Sequence, residues 1–394
     1  MAQVSLKLRT FTHQAGNSPR RATPSSVRTM PDFQAGQKRK LVEYPEPRKG
    51  VAWKELGFGM TTTDTRMVLA MNQGGEWGAL KSEPYGKLQL EPASTVLNYG
   101  QGIFEGVKAH RTSKGRIVIF RPRANAKRFA ESAKQFLMPT VPEDFFIEAL
   151  SMVVRENASW VPPCGEGALY LRPLLFGTGP DLGVQPSSEY CFVTYAAPVG
   201  KYFKGGGARL KIIHEQHRAA PGGVGHIKCI GNYAPCFEAQ RDAKAEGFSD
   251  VLYLDSRCEY IEEAAASNLF CLTMDGLLCT PELGSILPGV TRDSILRLAR
   301  HLIKQGGTED TGLRSVKEGQ VSVPTLLTAK EAFLTGTGAG IVPIEHIQPG
   351  TRKARSADLP TPGLLAELLS KTLADIQLER SSDMFGWLHD PFDP

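Results

Sequence analysis

Lys228 is the residue of this sequence whose neighbours most favour unusual chemistry. Glycines crowd the chain before it, in 221–225, and a helix is predicted to begin at Tyr233. Burial lowers the pKa of a lysine, and a neutral amine can form a Schiff base with an aldehyde. A lysine beside glycines is more commonly a solvated loop residue, so this segment alone does not decide its role.

An acidic pair lies further along the chain. Glu262 and Glu263 lead into an apolar segment that is predicted to be a strand. Either carboxylate could lie beside the ring nitrogen of a heteroaromatic cofactor, where an acid keeps that nitrogen protonated. A surface pair of glutamates at a turn fits the same residues.

Three segments have features of anion sites. The run 287–293 places Pro, Gly and Thr at the start of a predicted helix, and helix N-termini attract phosphate. Arg121 ends a predicted strand, where its guanidinium could clamp an oxyanion. The Gly-rich run 335–340 is not G-x-G-x-x-G, and no helix follows it directly, which disfavours a dinucleotide site. Residue chemistry by itself therefore indicates an α+β protein with a candidate anion site.

Composition excludes several other classes of protein. Residues 1–40 hold eight basic groups and one acidic group, which leaves 38 basic and 40 acidic groups, a net charge of −2, in the rest. A nearly neutral body disfavours a nucleic-acid partner, and no run approaches the roughly 18 apolar residues of a membrane span. The seven cysteines are scattered without a C-x-x-C pair, so neither a metal site nor a disulfide framework is expected.

The first 50 residues are expected to be a leader outside the fold. Arg, Ser and Thr are frequent there, and no acid precedes Asp32. This composition resembles an organellar transit peptide, without a choice between plastid and mitochondrion. A tail without an address, on a cytoplasmic protein, is the alternative.

The remaining 344 residues suit two domains. Strands and helices alternate irregularly, which favours α+β domains over a doubly wound sheet. We predict a small N-terminal domain over 51–176, an interdomain loop over 177–189 and a large C-terminal domain over 190–394. The predicted strands are 65–71, 116–120, 168–176, 190–197, 250–254, 268–273 and 331–335, and the predicted helices are 125–137, 145–160, 233–245, 291–304 and 364–378.

Eight segments together resemble the branched-chain amino acid aminotransferases, which are fold-type-IV enzymes dependent on pyridoxal phosphate (PLP). They occur in the order and at the spacing of that family, over nearly the whole body of the chain. The segments are 97–106, 120–122, 169–174, 198–203, 222–233, 262–270, 287–293 and 335–338. The resemblance implies the fold of D-amino-acid aminotransferase, with two α+β domains and the cofactor between them.

The resemblance also assigns roles around the cofactor. Lys228 corresponds to the Schiff-base lysine, which also moves the proton at the substrate Cα. Glu263, rather than Glu262, corresponds to the acid at the pyridine nitrogen, and Tyr233 to the partner of the phenolic oxygen. The phosphate is assigned to Arg121, Val290, Thr291 and Thr337.

A transaminase must accept both a branched apolar side chain and a carboxylate. The resemblance implies that the backbone of Thr337 and Gly338 meets the α-carboxylate. The other residues it assigns to the substrate are Tyr99, Phe104, Tyr170, Arg172 and Tyr202. Arginine suits the distal carboxylate of glutamate because it binds carboxylates through two N–H groups, and tyrosine offers both a ring and a hydroxyl.

These assignments imply transfer of the amino group of leucine, isoleucine or valine to 2-oxoglutarate. They also imply a homodimer in which loop 177–189, with Val184, lies near the partner's active site. The alternatives are a transaminase for methionine-derived or secondary-metabolite substrates, a D-amino-acid aminotransferase, a lyase of the same fold, and an inactive anion-binding module. Leu, Ile, Val and Met differ too little for the sequence to separate them.

Overall fold

The computed structural model of this chain describes residues 43–61, 66–200, 206–350 and 355–393. Two β-sheets with helices packed against them account for most of these residues. Most of the predicted leader, and Tyr202, lie outside the described residues. Within those ranges no helix is both long and apolar enough to cross a membrane. The same ranges contain no group of three or more His, Cys, Asp and Glu side chains placed to hold a metal ion.

The first sheet comes mainly from the chain before residue 200, and its strands pair antiparallel. Along the sheet the order is β6, β5, β7, β8, β1 and β2, with β3 on β1 and β4 on β7. Its strands are β1 Arg66–Gln73, β2 Glu76–Trp77, β3 Lys81–Pro84, β4 Gly102–Phe104, β5 Val107–Arg111, β6 Ile117–Phe120, β7 Ala168–Gly177 and β8 Glu189–Val199.

Three helices accompany this sheet, and two of them cover one face of it. They are α1 Thr95–Tyr99, α2 Pro122–Gln135 and α3 Glu143–Glu156. Apolar residues recur at helical spacing in α2, at Ala126, Phe129 and Ala133, and all three are buried. They pack with α3 against Leu169 and Leu171 of β7. The opposite side chains of β7 are therefore left facing the second sheet.

The second sheet closes on itself. Strands β9, β10, β11, β12, β16 and β17 pair in a ring, because β11 pairs both with β10 and with β12. Its strands are β9 Ala208–Ile213, β10 Asp250–Leu254, β11 Tyr260–Ala264, β12 Asn268–Leu272, β13 Leu277–Thr280, β14 Ser315–Glu318, β15 Val321–Ser322, β16 Glu331–Gly336, β17 Gly340–Gln348 and β18 Ala357–Asp358.

The inside of this ring is an apolar core, and helices cover its outside. In β12, Leu269 faces inward, whereas Phe270 packs outward against α5 and α7. Burial on both faces explains why β12 is a continuous apolar run. The helices of this half are α4 Phe237–Ala245, α5 Val290–Gln305, α6 Val323–Leu327 and α7 Leu364–Gln377.

Loop 177–189 does not lead from one sheet to the other. It connects β7 to β8, which pair along ten residues, from Ala168 with Val199 to Gly177 with Tyr190. Before the C-terminal segment, the chain changes sheet between Val199 and Ala208. Turn-forming residues indicate a loop at 177–189, but they do not reveal which strands it joins. Strand β8, which was expected in the large domain, therefore belongs to the first sheet, and the division into two domains remains a prediction.

The C-terminal segment returns to the first sheet. Strand β19, Leu388–His389, pairs with Phe120 and Ile119 at the edge of β6. The ring of Trp387 is buried against Phe120, at 5.6 Å between ring centroids. This segment, for which the sequence suggested no role, covers the edge strand beside the start of α2.

Candidate active site

A cavity of about 450 Å³ lies between the two sheets, and most of the predicted site residues line it. A volume of this size suits a small organic ligand. The predicted residues in its wall are Phe104, Tyr170, Arg172, Lys228, Tyr233, Glu263, Val290, Thr291, Thr337 and Gly338. The fold thus brings together ten of the thirteen positions, which are spread over more than 230 residues of sequence.

Lys228 is held at the cavity wall by its backbone. Its N–H donates to Ser132 Oγ at 3.2 Å, and its C=O accepts from the N–H of Phe104 at 3.0 Å. The side chain extends over Phe104, with Nζ 4.6 Å from the ring centroid, and donates to Tyr233 Oη at 3.1 Å. Burial, assisted by the charge of Arg128, lowers the pKa of Lys228 to about 8. The amine is therefore closer to its neutral, nucleophilic form than an ordinary lysine is.

Tyr233 lies between Lys228 and a buried guanidinium. Arg218 stands over its ring, 5.8 Å from the centroid. Burial raises the pKa of Tyr233 to about 12, so the phenol remains protonated at neutral pH and has a hydrogen to donate. A hydroxyl of this kind can orient the lysine amine and can also serve an oxygen atom of a ligand.

Glu263, and not Glu262, faces the cavity. Successive residues of a strand point to opposite sides, and Glu262 accepts a hydrogen bond from Ser285 away from the cavity. Glu263 accepts hydrogen bonds from Arg218, from Asn268 Nδ2 at 3.1 Å and from the N–H of Leu287 at 3.1 Å. Burial raises the pKa of Glu263, and the Arg218 guanidinium opposes that rise. The cavity therefore contains a fixed acid that can pair with a protonated ring nitrogen.

The N-terminus of α5 lies at one end of the cavity. Val290 and Thr291 open this helix, so their N–H groups lack partners within it. Arg128, from α2, lines the same end and donates to the C=O of Pro288 at 2.9 Å. Its Nε and Nη2 bind the two oxygens of the fully buried Glu105. Helix dipole and guanidinium together favour a phosphate at this end.

Arg121 lies on the other side of that helix terminus. Its guanidinium donates to Ser294 Oγ at 2.7 Å and to Asp293 Oδ2 at 2.6 Å, and it lies 4.8 Å from the ring centroid of Trp387. It lines a neighbouring cavity of about 940 Å³ instead of the one that contains Lys228. Arg121 also donates to the C=O of Val290 at 3.3 Å, so it lies beside one predicted phosphate ligand although it does not line the cavity of Lys228. Its role at the phosphate remains a prediction.

The turn between β16 and β17 forms another part of the wall. Thr337, Gly338 and Ala339 all line the cavity there. A Cβ at Gly338 would lie 2.9 Å from Cζ of Phe58. Glycine at this position thus lets the ring of Phe58 pack against the turn, and Phe58 in turn contacts Tyr170 edge-on at 5.0 Å between ring centroids.

The first sheet contributes the wall opposite the turn. Tyr170 and Arg172 alternate with the core residues of β7, so both side chains face the cavity. The Arg172 guanidinium lies 4.8 Å from the ring of Phe104 and 5.3 Å from that of Tyr170. Its Nε is buried without a hydrogen-bond partner. Tyr195 is the residue opposite Arg172 on β8 and lines the cavity beside it.

Tyr99 does not reach this cavity within the described chain. It ends α1 at the surface, and its hydroxyl donates to the C=O of Leu182 at 2.5 Å. Tyr202 falls outside the described residues. The substrate-binding roles predicted for both tyrosines therefore remain predictions.

Arg128, Arg218 and Tyr195 are cavity residues that the sequence analysis missed. Arg128 follows Lys127 in an amphipathic helix and resembles an ordinary solvated residue. The available signal was Glu105, a charged residue within the apolar segment that contains Phe104, because a buried carboxylate needs a buried partner. Arg218 and Tyr195 carried no comparable signal in the sequence.

Comparisons with known proteins show which family this chain is similar to. Residues 102–347 match the Amino-transferase class IV family. The chain is 41% identical over 343 residues to branched-chain-amino-acid aminotransferase 5, chloroplastic, of Arabidopsis thaliana, covering 86% of this chain and 79% of the relative. It is 40% identical over 346 residues to a methionine aminotransferase of Arabidopsis thaliana, covering 87% of this chain and 94% of the relative.

A solved structure is also similar to this chain. The branched-chain amino acid aminotransferase from Escherichia coli superposes with a TM-score of 0.66 and is 27% identical in sequence. The match covers 82% of this chain and 99% of that structure. A further branched-chain amino acid aminotransferase, from T.th., was solved with pyridoxamine 5'-phosphate; it is 30% identical over 82% of this chain and 98% of its own, with a TM-score of 0.66.

Proposed function

Because this chain belongs to the class IV aminotransferases, we propose that it transfers the amino group of leucine, isoleucine and valine to 2-oxoglutarate. The products are the branched 2-oxo acids and L-glutamate. One observation carries the proposal: a single cavity contains the Lys228–Tyr233–Glu263 group together with Arg172, a half-buried arginine without a carboxylate partner among the described residues.

The residues of the cavity fit pyridoxal phosphate. Lys228 offers a nucleophilic amine, Glu263 an acid for the ring nitrogen, and Tyr233 a hydroxyl for the ring oxygen. The N-terminus of α5 and Arg128 offer donors for the phosphate. When bound, this cofactor supplies a ring that accepts electrons from the substrate Cα.

Lys228 is the base that would move the proton in this reaction. A pKa lowered to about 8 allows its amine to take a proton from the substrate Cα and to return it at neutral pH. Tyr233 holds Nζ by the hydrogen bond at 3.1 Å, which limits the directions from which the amine can act. Arg218 holds the carboxyl group of Glu263 in position, so the acid is already oriented before the substrate binds.

The opposite wall suits two unlike substrates. Phe104 and Tyr170 present aromatic surface to a branched side chain. Arg172 lies against both rings, where it can bind the distal carboxylate of glutamate without displacing that surface. The apolar side chain of a substrate can thus pack against the two rings while the guanidinium of Arg172 stacks on them.

A second copy of the chain is expected beside this site. Leu182 and Val184 are apolar, but they expose 86% and 88% of their surface. Leu97 of α1, which is close to Tyr99 in the sequence, is exposed as well. Exposed apolar clusters mark interaction surfaces. A homodimer that covers this surface would bring loop 177–189 close to the partner's cavity. Val184→Asp should then dissociate the dimer in light scattering, whereas a wild-type protein that is monomeric would contradict the arrangement.

We further propose that the protein acts in an organelle. The basic, acid-poor composition of residues 1–40 supports this location, and so does the chloroplastic relative. A fluorescent protein fused after residue 50 would test whether this segment directs the protein to an organelle. The location of its fluorescence would distinguish plastid, mitochondrion and cytosol.

The test of the reaction is the visible spectrum of the purified protein supplied with PLP. A yellow form that bleaches with L-leucine and returns with 2-oxoglutarate is expected. A yellow protein that ignores L-leucine would favour a lyase or a D-amino-acid enzyme instead. A protein that binds no PLP would contradict both the reaction and the cofactor.

Methionine is the substrate of one similar enzyme and is the second candidate. An apolar pocket separates leucine from methionine by only about 1–3 kcal/mol. The ratio of kcat/KM for the two amino acids decides between them, since a specialised enzyme would favour methionine strongly. Equal rates would describe a broad branched-chain enzyme.

A further inference from the structure

Lys108 joins the two sheets behind the turn that lines the active-site cavity. It lies in β5 of the first sheet, opposite Tyr170 of β7 in the strand register, so the two side chains leave the same face of the sheet. Its Nζ donates to the C=O of Gly338 at 3.0 Å. Gly338 belongs to the turn between β16 and β17 of the second sheet.

This contact reaches the turn from the side away from the cavity. Lys108 lines a separate space of about 60 Å³ behind it, whereas Gly338 and Ala339 line the main cavity. The C=O and the following N–H of a trans peptide point in opposite directions. A carbonyl of Gly338 held on Lys108 therefore directs the N–H of Ala339 away from Lys108, on the side of the main cavity.

Burial lowers the pKa of Lys108 to about 8, so the ammonium form still dominates at neutral pH, and no carboxylate within the described residues forms an ion pair with it. His110 faces the same small space, and burial together with Lys108 lowers the pKa of His110 to about 3, so the imidazole stays neutral. A cation bonded to the carbonyl polarises the peptide, which strengthens its N–H as a donor to an anion.

We propose that Lys108 is a positioning residue that prepares the turn 337–339 to bind the α-carboxylate shared by both substrates. This inference rests on the proposed function and on the resemblance, which assigns the α-carboxylate to the backbone of Thr337 and Gly338. Lys108 acts through the peptide of Gly338 and does not touch the substrate. Its removal should consequently weaken binding of every amino acid and every 2-oxo acid by a similar factor.

The test compares Lys108→Met and Lys108→Arg with the wild-type holoenzyme. Lys134→Met, which removes an exposed lysine of α2, is the matched control. The readouts are KM and kcat for L-leucine and for 2-oxoglutarate. A calorimetric Kd for 4-methylvalerate, a leucine analogue without the amino group, measures carboxylate binding without turnover. The alcohol 4-methylpentanol is the uncharged probe of the same pocket.

Lys108→Met should raise both KM values and the Kd of 4-methylvalerate roughly tenfold, the size of a lost charge-assisted hydrogen bond. The value of kcat, the bound PLP and the affinity for 4-methylpentanol should stay near those of the wild type, and Lys108→Arg should recover most of the loss. An unchanged Kd for 4-methylvalerate would overturn the proposal, and so would an equal loss for the alcohol. If Lys108→Met does not fold, Lys108→Gln gives the same comparison. Failure of the wild type to convert leucine would instead refute the proposed function.

Discussion

The guanidinium of Arg128 binds both carboxylate oxygens of Glu105, through Nε at 2.7 Å and through Nη2 at 2.8 Å. Glu105 has no exposed surface, and Asn125 and the N–H of Gly106 also donate to it. The pair ties α2 to the segment that contains Phe104. Arg128 is thereby fixed beside the N-terminus of α5, so one buried carboxylate determines where the cation of the anion site lies.

Glu105→Gln should weaken both the fold and the cofactor site. It leaves a buried guanidinium without its counter-charge, and breaking such a pair costs about 3–5 kcal/mol of unfolding free energy. The affinity for PLP should fall as well, because Arg128 loses its fixed position. Denaturant unfolding of the apoprotein and a PLP titration measure the two effects. A variant that loses stability but keeps its PLP affinity would show that the pair is only structural.

The two arginines near the start of α5 should differ in their effect on PLP. Arg128→Met should raise the Kd for PLP by more than tenfold, since a guanidinium–phosphate contact contributes about 1.5–3 kcal/mol. Arg121→Met should change that Kd little, because Arg121 is engaged by Asp293 and Ser294 outside the cavity. Absorbance titration of each apoprotein measures the difference. A larger loss in Arg121→Met would support the role that the resemblance assigned to it.

The sequence allowed five of the seven described α-helices and seven of the nineteen described strands to be predicted, because the burial patterns of those elements are local. Strand 250–254 and helix 364–377 were located to within one residue by apolar content and spacing alone. Strand β9 was missed since basic residues alternate with its apolar ones, and β17 was missed since it begins at Gly340 and contains Pro343. Closure of the second sheet depends on the pairing of Glu263 with Asn268, which no local pattern indicates.

The same limit applies to the site. Lys228 and the start of α5 were candidates because glycines and a helix entry mark them locally, but the resemblance to a known family assigned their roles. Arg128 and Arg218 become functional candidates only through buried carboxylates that lie 23 and 45 residues away. Arg121 lies at a strand end with no local sign that Trp387 and Asp293 would hold it. The spacing of residues in the sequence cannot distinguish a charged side chain that pairs with a distant residue from one that is solvated.

Uptake of PLP by the apoprotein should depend on pH through Lys228. The neutral amine is the nucleophile, and burial lowers its pKa to about 8. Below that pH the ammonium form dominates, so the uptake rate should fall about tenfold for each pH unit and should level off above it. Stopped-flow absorbance at a series of pH values measures this profile. A midpoint near 10.5, the value of an exposed lysine, would contradict the environment described here.

The charges around Lys228 predict which way that midpoint moves in variants. Arg128 lowers the pKa of Lys228, whereas Glu105 raises it. Arg128→Met should therefore move the midpoint of uptake to higher pH, and Glu105→Gln should move it to lower pH. If the midpoint moved in the same direction in both variants, a general change of the cavity would explain the shifts, and the opposed charges of Arg128 and Glu105 would not.

Arg172→Leu should separate the two half-reactions. The half-buried guanidinium lies against Phe104 and Tyr170 with its Nε unsatisfied, so a distal carboxylate can gain charge-assisted hydrogen bonds there at little cost of reorganisation. The side chain of a leucine substrate gains only contact with the same rings, and the apolar replacement would partly preserve that contact. Single-turnover rates should therefore fall at least tenfold more for 2-oxoglutarate and glutamate than for leucine, a ratio of about ten being the size of one lost charge-assisted hydrogen bond. Tyr195→Phe is a useful comparison, because it keeps the ring beside Arg172 and removes only the hydroxyl. Equal losses for all substrates in Arg172→Leu would mean that the arginine supports the cavity wall and does not select the distal carboxylate.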